Sequence, residues 1–137
     1  MRKPSGADPK KRKGLIIVNT GDGKGKSTAA FGLAMRAAGN KMNVFILQFM
    51  KGQWKAGERN SFEKLAPYVE IVPMGDGFTW DTENIEQDKA TARKAFEIVK
   101  EKLNSGKYNM VIFEEINYVL HYKFLPEDEV LEVIKNK

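Results

Sequence analysis

The stretch Leu15-Ile16-Ile17-Val18-Asn19-Thr20-Gly21-Asp22-Gly23-Lys24-Gly25-Lys26-Ser27-Thr28 decides how the rest of the chain is read. Its first four residues form a continuous apolar run, the pattern of a short strand buried on both faces. Glycines then alternate through a turn, and an alanine-rich segment follows. That segment reads as a helix over residues 26–38, with Phe31, Ala34, Met35 and Ala38 on one stripe and Gly39 as its stop. Strand, glycine turn and helix start are the setting in which the pattern G-x-x-x-x-G-K-[ST] binds phosphate. Gly25-Lys26-Ser27 fits that pattern, and Thr20 stands where the first glycine is usual.

Chemistry explains the residue types. Glycine lets successive backbone N–H groups turn toward phosphate oxygens. The helix start adds free N–H groups and the positive end of its dipole. Lys26 brings a point charge to the phosphates, the Ser27 hydroxyl is the expected ligand of Mg²⁺, and Thr28 adds a hydrogen bond. The nucleotide-binding candidates are therefore Thr20, Gly21, Asp22, Gly23, Lys24, Gly25, Lys26, Ser27 and Thr28, with a Mg²⁺-bound nucleoside triphosphate as ligand. A glycine-rich turn without a ligand is the plainer reading, and the matched strand and helix on its two sides argue against it.

Outward from this loop, strands and helices alternate. Residues 44–49 (VFILQF) read as a second strand and residues 69–72 as a third, ended by Pro73. Asp81 or Thr82 caps a long helix through Leu103, with Ala92, Phe96, Val99 and Leu103 at helical spacing. Residues 104–106 end that helix, and residues 110–113 (MVIF) form the fourth strand. Pro126 sits at the first turn of a last helix over residues 127–134. The order implies an α/β domain of the P-loop NTPase type: a mostly parallel sheet flanked by helices in three α/β/α layers. A sheet of this kind ordinarily continues into another strand, so the domain over residues 14–137 is expected to lack its C-terminal strand or strands.

The run Val111-Ile112-Phe113-Glu114-Glu115 adds a second signal. An apolar strand that ends in acids places a carboxylate beside the phosphate loop, where it reaches the metal. Glu114 and Glu115 thus join Ser27 as metal candidates, with Glu114 standing where aspartate is usual. A strand followed by solvated acids is the competing reading. Gln48, Lys51, Glu58, Arg59 and Asn60 lie at or after the second strand's end, the edge where open α/β sheets bind ligands, and loop capping or surface charge explains them equally well. Arg36 reads as a solvated helix residue.

Composition narrows the classes further. The chain has 137 residues, no cysteine and one histidine, His121, which excludes disulfides, thiolate metal sites, cysteine nucleophiles and histidine-cluster metal sites. No run approaches the roughly 18 apolar residues of a membrane helix, and the N-terminus has no apolar signal stretch, so a cytoplasmic protein is expected. The net charge of +5 resides in residues 1–13, where Arg2, Lys3, Lys10, Lys11, Arg12 and Lys13 face Asp8 alone. That segment reads as a solvated, disordered arm, with a phosphate- or nucleic-acid-contacting arm as the alternative. The remainder is balanced in charge, so nucleic acid is not the expected partner.

Several motifs together resemble the P-loop class of corrinoid adenosyltransferases. These are the loop from Thr20 running on through Thr28-Ala29-Ala30-Phe31-Gly32, then Gln48-Phe49-Met50-Lys51-Gly52, Gly57-Glu58-Arg59-Asn60, Gly77-Phe78-Thr79-Trp80, Glu114-Glu115-Ile116-Asn117-Tyr118, Leu125-Pro126 and Val130. The resemblance spans residues 14–134. It implies transfer of the 5′-deoxyadenosyl group of ATP to the cobalt(I) of a reduced corrinoid, with triphosphate as leaving group, in cobalamin biosynthesis or salvage. The loop then holds a leaving group instead of transferring a phosphoryl, and Lys24 and Lys26 suit that role. Cobalt(I) brings its own electron pair, so no general base is required, in keeping with one histidine and no cysteine. The resemblance also implies that Phe78 and Trp80 line the corrinoid side and help displace the lower axial ligand, that Lys26 acts in catalysis, that the protein is a homodimer, and that a flavoprotein reductase supplies the electron. Without the resemblance, Phe78 and Trp80 read as anchors of their loop. The motif alone also allows a phosphoryl-transfer enzyme, a small-molecule kinase or an ATPase.

Overall fold

A computed structural model describes residues 14–50, 57–75 and 85–136. In chain order the elements are α1 (Lys26–Gly39), β1 (Val44–Gln48), α2 (Gly57–Glu63), β2 (Val69–Pro73), α3 (Ile85–Asn104), β3 (Met110–Glu114), α4 (Ile116–His121) and α5 (Glu127–Lys135). The three strands form one parallel sheet in the order β2-β1-β3. The α/β class and the layered, parallel arrangement expected from the sequence are what the fold shows.

β1 is the central strand, and all five of its residues are buried. Its register with both neighbours sorts the side chains. Ile46 pairs with Ile71 and Ile112, and Gln48 pairs with Pro73 and Glu114. Successive side chains alternate between the faces of a strand, so the sheet buries two different surfaces. Val44 and Ile46 pack with Ala34, Ala37 and Ala38 of α1 and Phe62 of α2. Phe45, Leu47 and Phe49 pack with Ala92, Ala95, Phe96 and Val99 of α3, and with Val119 and Val130 of α4 and α5. Alanines line α1 where it meets the sheet, while Phe45, Phe49 and Phe96 fill the layer under α3. Phe31 of α1 meets Phe62 edge-on at 5.3 Å, which fastens α2 to α1.

Several sequence expectations change in detail. Residues 15–18 are not a strand: Leu15 is 85% exposed and Val18 is 69% exposed. An all-apolar strand needs a ladder partner and cover on both faces, and among the described residues β3 pairs only with β1. Met35 is 59% exposed and leaves the predicted stripe, because the buried arc of α1 runs through Ala34, Ala37 and Ala38, and Met35 is turned away from it. α2 and α4 are helices that periodicity does not announce, being only 7 and 6 residues long. Pro73 belongs to β2, an edge strand in which a missing N–H is tolerated. Pro126 is the extended N-cap of α5, one position before the first turn. The predicted caps Asp81 and Thr82 lie outside the described residues, as does the basic tail of residues 1–13. Among the described residues no helix is long and apolar enough to cross a membrane.

Candidate nucleotide and cation site

The face of the sheet that meets α1 changes character at its C-terminal edge. Val44 and Ile46 give way to Gln48 on β1, and Met110 and Ile112 give way to Glu114 on β3. The register sets the two polar residues side by side, and both are buried, at 0% and 5% exposure. α1 begins directly opposite. Its N-cap, Gly25, is left-handed and supplies no side-chain cap, so the first-turn amides are not taken up by a capping side chain. This helix start carries Ser27 to the sheet edge, where its hydroxyl donates to Glu114 Oε1 at 3.0 Å. Gln48 Nε2 donates to the other oxygen, Glu114 Oε2, at 2.6 Å. Three elements thereby converge on one carboxylate. Among the described residues, Gln48 Oε1 is buried without a hydrogen-bond partner.

The loop before α1 is exposed, and its glycines at 21, 23 and 25 have φ of 111°, 95° and 109°. Among the described residues, no atom other than those of the glycine and its chain neighbours lies within 4 Å of a Cβ added at any of the three, so backbone conformation, not space, favours glycine there. Lys26 Nζ donates to the carbonyls of Gly21 at 2.7 Å and Gly23 at 2.5 Å. An ammonium has three protons, so one remains for a ligand. The departure at Thr20 has a local reason: Asn117 Nδ2 donates to Thr20 Oγ1 at 3.3 Å, tying the loop to α4. A glycine at position 20 has no side chain to accept that bond.

Of the two adjacent acids, the structure brings Glu114 to Ser27. Glu115 takes a left-handed conformation, φ 65°, and turns the chain from β3 into α4. For a non-glycine residue that conformation costs about 1 kcal/mol or more, and such strain concentrates at functional sites.

The donor set suits a hard divalent cation. Ser27 and Glu114 offer a hydroxyl and a carboxylate in contact, and Gln48 leaves an orphaned oxygen beside them. Among the described residues there is no group of three or more acids and histidines that could hold a metal. Mg²⁺ does not need one: it typically takes one or two protein oxygens and fills its shell with phosphate and water.

Other sequence candidates sort differently. Lys24 and Thr28 are exposed, Arg59 is buried on α2, Asn60 is exposed, and Arg36 is exposed as expected. Tyr118 and His121 are exposed on α4, where Tyr122 stacks on Tyr118 and meets His121 edge-on. Lys51, Phe78 and Trp80 lie outside the described residues. The tether from Asn117 is not readable from spacing, since it spans 97 positions. The only signal for it is the non-glycine residue at position 20.

Comparison with known proteins meets this geometry. The family described as ATP:corrinoid adenosyltransferase BtuR/CobO/CobP matches residues 12–137. A corrinoid adenosyltransferase of Escherichia coli K12 is 43% identical over 131 residues, which is 96% of this chain and 66% of the relative. Corrinoid adenosyltransferase CobA of Salmonella typhimurium is 43% identical over 128 residues, 93% of this chain and 64% of the relative. The corrinoid adenosyltransferase of Pseudomonas aeruginosa is 36% identical over 129 residues, 94% of this chain and 64% of the relative. The chain thus spans just under two thirds of the length of these relatives.

Proposed function

Since the chain belongs to the ATP:corrinoid adenosyltransferase family, we propose that it transfers the 5′-deoxyadenosyl group of ATP to the cobalt(I) of a reduced corrinoid. The observation that carries this reading is the contact of Ser27 with Glu114 at the mouth of the glycine loop, on a chain that matches the family from residue 12 to residue 137.

In this reading the corrinoid cobalt(I) supplies an electron pair to C5′ of the ATP ribose. A cobalt–carbon bond forms, the bond from C5′ to the triphosphate oxygen breaks, and triphosphate leaves with that pair. The protein's task is to position two reactants and to stabilise a departing polyanion. Residues 20–28 would hold the triphosphate, with Lys26 offering its remaining proton and the first-turn amides of α1 offering theirs. Ser27 and Glu114, with Glu115 next in the chain, would hold Mg²⁺, which when bound offsets phosphate charge. Lys24 adds positive charge at the loop. Phe78 and Trp80 are assigned to the corrinoid side on the strength of the motif they share with the family. The electron that brings cobalt to its reactive state is assigned to a flavoprotein reductase, the assembly to a homodimer, and the setting to the cytoplasm, where ATP is available.

Product analysis tests this. Incubation with Mg-ATP and a chemically reduced corrinoid is expected to give adenosylcorrinoid and triphosphate in equal amounts. ADP and phosphate in their place would overturn the reading in favour of phosphoryl transfer. Trp80→Ala is expected to slow adenosylation while ATP binding, followed by calorimetry, is spared.

A further inference from the structure

Gln48 has a feature that phosphate binding does not explain. It ends the central strand with a fully buried side chain, on a face where the preceding residues Val44 and Ile46 are aliphatic. One end of its amide is well used, donating to Glu114 Oε2 at 2.6 Å. The other end, Oε1, is buried and has no hydrogen-bond partner among the described residues. The amide cannot be turned over to cure this, because Oε1 would then face a carboxylate oxygen, acceptor against acceptor. Packing does not account for glutamine here either. Leucine or methionine fills similar volume without an orphaned acceptor, and buried polar atoms left without partners are rare enough to require a reason.

The surroundings supply the reason. Gln48, Glu114 and Ser27 form one chain of hydrogen bonds from β1 through β3 to α1. Glu114 is held at both oxygens: Gln48 takes Oε2, which leaves Oε1 to Ser27. A carboxylate fixed in this way presents a defined oxygen to a cation instead of rotating between orientations. A cation such as Mg²⁺ keeps several waters, and the protons of those waters need acceptors.

We propose that Gln48 is a positioning residue of the cation site: it locks the Glu114 carboxylate through Oε2, and its free Oε1 accepts a hydrogen bond from a water of the hydrated cation. This rests on the reading of Ser27 and Glu114 as the cation's protein ligands. Partners that orient metal ligands commonly change metal affinity by 10–100-fold when removed. They do so without contacting phosphate, which separates this role from that of Lys26.

The test uses Mn²⁺ as the probe, with free Mn²⁺ followed by electron paramagnetic resonance at saturating ATP. Gln48→Leu and Gln48→Met are each expected to weaken Mn²⁺ binding about 10-fold. ATP binding in the presence of EDTA is expected to stay within about two-fold of the parent. The melting temperature is expected to hold or rise, because an orphaned buried acceptor has been removed. Unchanged Mn²⁺ affinity in both variants, with a clear loss in Glu114→Gln, would overturn the role of Gln48 and leave the cation reading standing. No loss in Glu114→Gln would overturn the cation reading and this inference together. A lowered melting temperature with unchanged Mn²⁺ affinity would assign Gln48 to packing, and equal loss of metal-free and metal-dependent ATP binding would mark general disruption of the site. Either result also overturns the proposal.

Discussion

Phe45, Leu47 and Phe49 leave one side of the central segment, and Val44, Ile46 and Gln48 leave the other, yet the two sides end differently. The side under α3 stays apolar through Phe49 and Phe113, whose rings lie 6.2 Å apart. The side under α1 turns polar at the last pair, Gln48 and Glu114. The first side is a plain core, closed by large aromatics. The second is a core at Val44 and Ile46 and a polar edge at Gln48. The same strand therefore supports the fold with one set of side chains and carries the candidate site with the other, separated by a single step in the chain.

If that division holds, substitutions on the two sides should have separable effects. Phe96, fully buried under the first side, should give the largest one. Phe96→Ala is expected to destabilise the fold by about 3–5 kcal/mol in urea denaturation, while the fraction that remains folded binds ATP as before. Lost affinity in the folded fraction would break the comparison. Lys26→Ala comes next, with ATP binding by calorimetry expected to weaken about 100-fold or more, roughly 2.7 kcal/mol, and the urea midpoint little changed. A large shift in that midpoint would mean that the loop belongs to the core. Glu114→Gln is expected to weaken the Mg²⁺ requirement of ATP binding about 10-fold, since a neutral amide is a poorer ligand than a carboxylate.

The smallest effect sharpens the first side alone. Tyr108 packs against Phe45 and donates its hydroxyl to Glu70 Oε2 at 2.6 Å. Burial, with Glu70 beside it, pushes the phenol up from the usual 10 to about 12. The neutral form is thus favoured in the fold. Its contribution is fully present below pH 10 and is lost as pH rises through about 12. A spectroscopic titration is expected to show a phenol ionising near pH 12, absent in Tyr108→Phe. An ion pair holds the outer layer: Arg93 of α3 meets both carboxylate oxygens of Glu129 on α5, which holds the Glu129 carboxyl below its ordinary range.

How much of this was legible in the sequence differs from element to element. Residues 44–47 and residues 15–18 look alike as strings, each four apolar residues in a row. The first run is the buried centre of the sheet and the second lies on the surface, because burial depends on finding neighbours on both edges, which no local pattern encodes. α1, α3 and α5 were readable because each repeats its apolar residues over two turns or more. α2, with the sequence GERNSFE, docks through little more than Phe62 and offers too few turns for a period to register. In the candidate site, the helix start at Gly25-Lys26-Ser27 was legible because the phosphate-loop pattern has residue types at fixed spacing. The pairing of Gln48 with Glu114 was not, since strand register across 66 positions fixes it. The tether from Asn117 to Thr20 was hidden for the same reason.

The bonds from Lys26 to Gly21 and Gly23 carry one more consequence. A glycine-rich loop alone is floppy, and a guest that had to organise it would lose affinity to the entropy of ordering three freely rotating residues. Here the side chain proposed to meet the phosphates already laces the loop together. A polyanion bound there, as proposed, would find a mould already set, its ordering completed during folding. Arginine at position 26 would keep the charge, but its flat, wide fork is a poor lace for two carbonyls so close together.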